Sequence, residues 1–177
     1  MSVERAEPVP ATRTRPAFDA DSRTALLGWY DLQRGIIRMK CEGLSDEDAH
    51  RALIATSPLM TVAGILAHLT WAEQLWFEHA FLGTSFDGPG WDDVEDSEFI
   101  VEGRSLADLL TAYDEQCART DEVIATYSLS DRGVGGQFPS ASSTLEWMLL
   151  HMLEEVARHA GHLDVIRELL DGEQGYY

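Results

Sequence analysis

One stretch constrains this chain more than any other: residues 145–170, LEWMLLHMLEEVARHAGHLDVIRELL. Sampling it at every third and fourth residue gives Leu145, Met148, Met152, Glu155, His159, His162, Ile166 and Leu169. At about 3.6 residues per turn these positions share one face of an α-helix. Both ends of the stripe read as core, but its middle carries a carboxylate and two imidazoles. A desolvated carboxylate is costly unless a charge or a metal compensates it. Glu155 and His159 are four residues apart and His159 and His162 three, so either pair can close on one ion from adjacent turns. Two readings without an ion stay open: a stripe wide enough to leave Glu155 and His162 at the solvent border, or a buried hydrogen-bond network.

A second helix with the same peculiarity is predicted over 61–82, TVAGILAHLTWAEQLWFEHAFL. Its core stripe reads Ile65, His68, Ala72, Leu75, His79 and Leu82, flanked by Leu69, Trp76 and Phe77. His68 stands where the pattern asks for an aliphatic residue. A four-coordinate ion needs a ligand from a facing element, which couples His68 to the cluster on the later helix. His79 lies about 16 Å further along the axis and cannot share that ion; it reads as a helix-end residue near the C-terminal dipole.

The remaining chain completes a bundle. Residues 1–20, with Pro8, Pro10 and Pro16, show no periodicity and predict an extended or disordered arm. A first long helix is expected from Ser22 to Cys41, with Gly43 placed to end it. Ser45 and Asp48 suggest a capped short helix through Leu53, and His50 in that connector reads as solvated. The glycine-rich, acidic stretch 83–103 predicts a surface connection that could close a site through Phe86 and Trp91, although covering the core is the simpler role for them. Ser105 and Asp108 start a third long helix ending near Ser128, on whose apolar stripe Cys117 reads as a small core residue. A loop over 129–142 follows, with Arg132 available to an anion, and then Ser143 and Glu146 as a capping box for the fourth long helix, which Gly172 ends. No strand-like alternation is visible. The expectation is an all-α four-helix bundle over 21–172 with a tail over 173–177 and a metal site between the second and fourth long helices.

Composition narrows the class of function. The 31 acidic and 13 basic residues leave a formal net charge of −18, a field that repels phosphate backbones and anionic lipid. Neither nucleic acid nor a membrane is an expected partner. The two cysteines, Cys41 and Cys117, are far apart and exclude a disulfide scaffold or a zinc knuckle. The opening residues lack the apolar core of a signal peptide, and no apolar run approaches the ~20 residues of a membrane span, so a soluble cytoplasmic protein is expected.

The segments TVAGILAHLTWAEQLWFE and HMLEEVARHAGHLDVIRELLDG, with weaker similarity in LLGWYDLQRGIIRMKCEGLSDE and RSLADLLTAYDEQCART, resemble the DinB-like superfamily. The resemblance is to the branch of mycothiol-dependent maleylpyruvate isomerase and the mycothiol or bacillithiol S-transferases. It implies a metal held by one histidine of the second long helix and a Glu-x3-His pair of the last, here His68, Glu155 and His159. Where many members carry glutamine three residues after the last ligand, this chain has His162, which leaves a His159–His162 alternative open and suits His162 to an acid/base or ligand-contact role. This donor set suits zinc, with nickel, manganese or iron as alternatives. Three protein ligands leave one position open. The resemblance implies a low-molecular-weight thiol, mycothiol or similar, bound there as thiolate and added to an electrophile, and a homodimer. Two other functions stay open: a non-catalytic DinB-like protein using metal or an exposed face to brace or dimerise, and a metal-assisted hydrolase with His162 or His151 as base.

Overall fold

In the computed structural model, which describes residues 14–85, 88–89, 94–135 and 139–175, the chain is organised by four main helices packed as a bundle. Helix α1 spans Ser22–Cys41. It begins where the Asp21 carboxylate accepts from the Thr24 amide at 3.0 Å, and it stops at Glu42, followed by Gly43 with φ 76°. The short α2, Asp46–Ala49, ends before Leu53, sooner than its sequence suggests. One turn has little intrinsic stability; this one is held because Asp46 also accepts from the Leu106 amide at 2.8 Å.

Helix α3, Val62–Glu73, continues without a break into a π-helix over Gln74–Phe81. The widened turns buried Leu75, Phe77, His79, Ala80 and Phe81 together. The last carbonyls of this segment are taken up by the later connection: Val134 donates to Phe81 at 3.0 Å and Gly135 to Ala80 at 2.8 Å. Gly135 is required there, since a Cβ on it would stand 2.3 Å from the His79 carbonyl. After a 3-10 turn at Ser97–Phe99, α4 spans Leu106–Thr126 from its Ser105 cap. A second 3-10 turn, Pro139–Ser142, leads into α5, Leu145–Leu170. The cap of α5 is Thr144, whose hydroxyl accepts from the Trp147 amide at 3.2 Å, one residue later than the expected Ser143.

Ion pairs give the helix directions. Arg34 meets Glu73 at 2.7 Å and Tyr30 meets Phe77 at 6.4 Å between rings, so α1 runs antiparallel to the α3 segment. Arg34 also meets Asp121 at 2.7 Å while Arg38 meets Asp114, which sets α4 antiparallel to α1 as well. Lys40 pairs with Asp164 at 2.6 Å, and Arg167 donates to the Lys40 carbonyl at 2.8 Å, so the α1 and α5 C-termini lie together. The order is up-down-down-up, and the parallel α3–α4 pair explains the long connection between them.

Two sequence expectations about the stripes fail at their ends. Leu169 is 59% and Leu82 36% exposed. At the α5 terminus the inward place goes to Arg167, 3% exposed, whose guanidinium satisfies carbonyls at the end of α1. Among the described residues no helix is long and apolar enough to cross a membrane. Residues 1–13 of the expected arm, and Phe86 and Trp91 of the expected cover, lie outside the described residues.

Candidate metal centre

His68 projects from the middle of α3 toward α5, which returns Glu155 and His159 from successive turns. The Glu155 Oε1 lies 3.1 Å from His68 Nε2 and 3.2 Å from His159 Nε2. One ligand atom from each of the three residues falls within 4.8 Å of the others. The imidazoles are almost enclosed, His68 8% and His159 6% exposed, and the Glu155 side chain is 17% exposed, which leaves the carboxylate edge as the open side. Hydrogen bonds from His159 and then His68 hold the Glu155 carboxyl well below the usual carboxylate range. An ionised carboxylate and two inward nitrogens, converging from facing helices, form the donor set that an intermediate divalent cation takes.

The outer nitrogens of the two rings face other side chains. His159 Nδ1 lies 3.4 Å from His162 Nδ1. His68 Nδ1 faces Glu98 Oε1 at 3.8 Å. Phe99, the next residue, stacks on the His68 ring at 4.3 Å between centroids and 7° between planes, and Trp71 stands at 5.9 Å on the same ring. Arg158 Nη1 lies 4.0 Å from Glu155 Oε2.

Of the histidines singled out in the sequence, His68 and His159 meet with Glu155. His162 is half-buried beside them, outside the converging group, and burial together with His159 lowers its pKa from the ordinary imidazole value. His151 lies one turn before Glu155 and is stacked with Trp147 at 5.5 Å and edge-on to Trp76 at 4.7 Å. His79 sits at the end of the π-helix, with Nδ1 bonded to the Thr84 carbonyl at 2.7 Å. His50 is half-buried, not fully solvated, with Nδ1 bonded to the Asp46 carbonyl at 2.8 Å. Arg132 bonds the Ser142 carbonyl at 3.1 Å.

Cys117 is buried, as its position on the stripe predicts, and Cys41 is buried too. Burial pushes the Cys41 thiol up to about 12 and the Cys117 thiol higher still. Neither is a nucleophile at neutral pH. Sequence reasoning missed Glu98 and Phe99, because an acid and an aromatic in an aperiodic acidic segment carry no signal of which helix they will cover. It also missed Glu73 and Arg34, although the signal was there: Tyr30, Arg34 and Ile37, and Leu69, Glu73 and Phe77, recur at helical spacing.

Residues 25–172 match the family model described as MST: Mycothiol-S-transferase. No curated protein matches the chain.

Proposed function

The chain belongs to the mycothiol-S-transferase family, part of the DinB-like superfamily, and on that premise we propose that it is a metal-dependent thiol S-transferase or isomerase. His68, Glu155 and His159 are its proposed metal ligands, with zinc the first choice for two imidazoles and one carboxylate and nickel, manganese or iron as alternatives. The observation that carries the reading is the convergence of these three donors, from two helices that both lie inside the matched region.

Bound there, a divalent cation would supply an open position at which an added thiol loses its proton at neutral pH. The protein's own residues do the rest. Glu155 stays ionised and draws the two imidazoles together. Phe99 from the 3-10 turn and Trp71 from α3 pack against the His68 ring. Cys41 and Cys117 are buried, so the reacting sulfur comes from a small molecule, for which mycothiol is the family's choice. His162, beside His159, is the proposed acid/base or ligand contact. In the overall reaction the thiol gives up its proton, its sulfur forms a bond to an electrophilic carbon, and any displaced group leaves with its bonding pair. A homodimer belongs to the same proposal, and the exposed Leu150, Val165 and Leu169 of α5 are apolar residues available to it.

The test is thiol consumption by the zinc-loaded protein with mycothiol and a panel of electrophiles. Turnover that needs both metal and thiol is expected. Retained metal with no thiol-dependent turnover would select a bracing role instead, and thiol-independent cleavage would select hydrolysis.

A further inference from the structure

His68 poses a problem that the three converging donors do not solve. Its Nε2 faces Glu155, so when that nitrogen offers its lone pair to a cation, the neutral ring carries its hydrogen on Nδ1. Nδ1 is buried and has no hydrogen-bond partner among the described residues. A buried donor of this kind needs an acceptor. The Glu98 carboxylate stands 3.8 Å from it, just beyond hydrogen-bond range, and is itself only 16% exposed.

The backbone brings Glu98 there for local reasons. Asp96 adopts the left-handed conformation, φ 56°, and turns the chain into the 3-10 turn Ser97–Phe99. That turn packs on α3, where Gly64 leaves room: a Cβ at this position would lie 3.1 Å from the Phe99 carbonyl. Phe99 then lies flat on the His68 ring at 4.3 Å, which fixes the ring plane and leaves Nδ1 pointing at Glu98.

We infer that Glu98 is a positioning residue for the metal centre: it accepts the Nδ1 hydrogen of His68, fixes the tautomer and orientation that present Nε2 inward, and couples the 94–101 segment to metal occupancy. This rests on the proposed ligand role of His68. It adds an outer carboxylate from a third part of the chain to a site built by α3 and α5. Carboxylate partners of ligating histidines contribute roughly 10–100-fold to metal affinity.

The experiment is zinc affinity, read by competition with a chromophoric chelator, for the wild-type chain and for Glu98→Ala, Glu98→Gln and Glu95→Ala. Glu95 is an exposed carboxylate of the same segment and controls for lost charge alone. Glu98→Ala should weaken zinc by roughly 10–100-fold while metal-free melting stays the same, and Glu98→Gln, which keeps an acceptor oxygen, should recover part of the loss. Glu95→Ala should bind like wild type. Wild-type affinity in Glu98→Ala, or an equal loss in Glu95→Ala, overturns the inference and leaves the proposed function standing. Failure of the wild-type chain to bind zinc, nickel, manganese or iron overturns both.

Discussion

At the level of single residues, polar side chains that interrupt apolar stripes meet one another in two places. His68, Glu155 and His159 each interrupt an apolar stripe, and a polar group in a seam must find a partner. Arg34 and Glu73 interrupt their stripes in the same way and meet each other, with Arg34 Nε 2.8 Å from Glu73 Oε1 and Tyr30 donating to that oxygen at 3.0 Å. Glu73 is fully buried and Arg34 2% exposed, so neither charge can be relieved by water. Removing one partner strands the other: Arg34→Ala should lose about 3–5 kcal/mol, whereas the paired Arg34→Met, Glu73→Leu change should lose much less. Urea unfolding of the three chains checks this, and a single variant as stable as the double one would contradict it. Glu98 was not legible at all, because its role depends on where an irregular segment lands.

Periodicity located the elements well and their internal geometry poorly. The α1 bounds, Ser22–Cys41, and the Ser105 cap of α4 follow from caps and spacing. The π-helix does not, because a mixed segment such as QLWFEHAF over residues 74–81 carries no spacing that separates one helical pitch from the other. The Thr144 cap lies one residue beyond the expected Ser143, where neighbouring Ser and Thr compete for the same cap, whereas α2 keeps its expected Ser45 cap and differs only in ending at Ala49. Gly64 illustrates tertiary packing overriding local propensity. Alanine in a helix interior is intrinsically better than glycine by roughly 1 kcal/mol. Here, though, its Cβ would stand 2.4 Å from the Leu59 carbonyl and 3.1 Å from that of Phe99, both backbone atoms. Overpacking of this kind costs about 1–3 kcal/mol, so Gly64→Ala should be net destabilising. Thermal melting should show a lower midpoint, and a raised one would mean that the Leu59 and Phe99 carbonyls do not stand against Gly64 as described.

For the whole molecule, the bundle class was legible from four amphipathic stretches, while the up-down-down-up order was not, since it depends on ion pairs between helices remote in sequence. The buried acids of the core make an alkaline prediction. Cys41 is raised from its ordinary 9.0 to about 12 by burial, and burial also raises Cys117, Tyr30 and Tyr113. Above the ordinary thiol range the unfolded chain loses protons that the folded chain keeps, so folding stability should fall as pH rises from about 9 toward 12, by roughly 1 kcal/mol per pH unit for each thiol. Urea midpoints at pH 8 and pH 10 read this, and equal midpoints would contradict the burial of these groups.

The proposed metal centre requires side chains from two facing helices to hold one cation. Metal stoichiometry after zinc loading and desalting, for the wild-type chain, His68→Ala and His79→Ala, decides this. One ion per chain is expected in the wild type and in His79→Ala, and none in His68→Ala. Full occupancy of His68→Ala, or none in the wild-type chain, would contradict it.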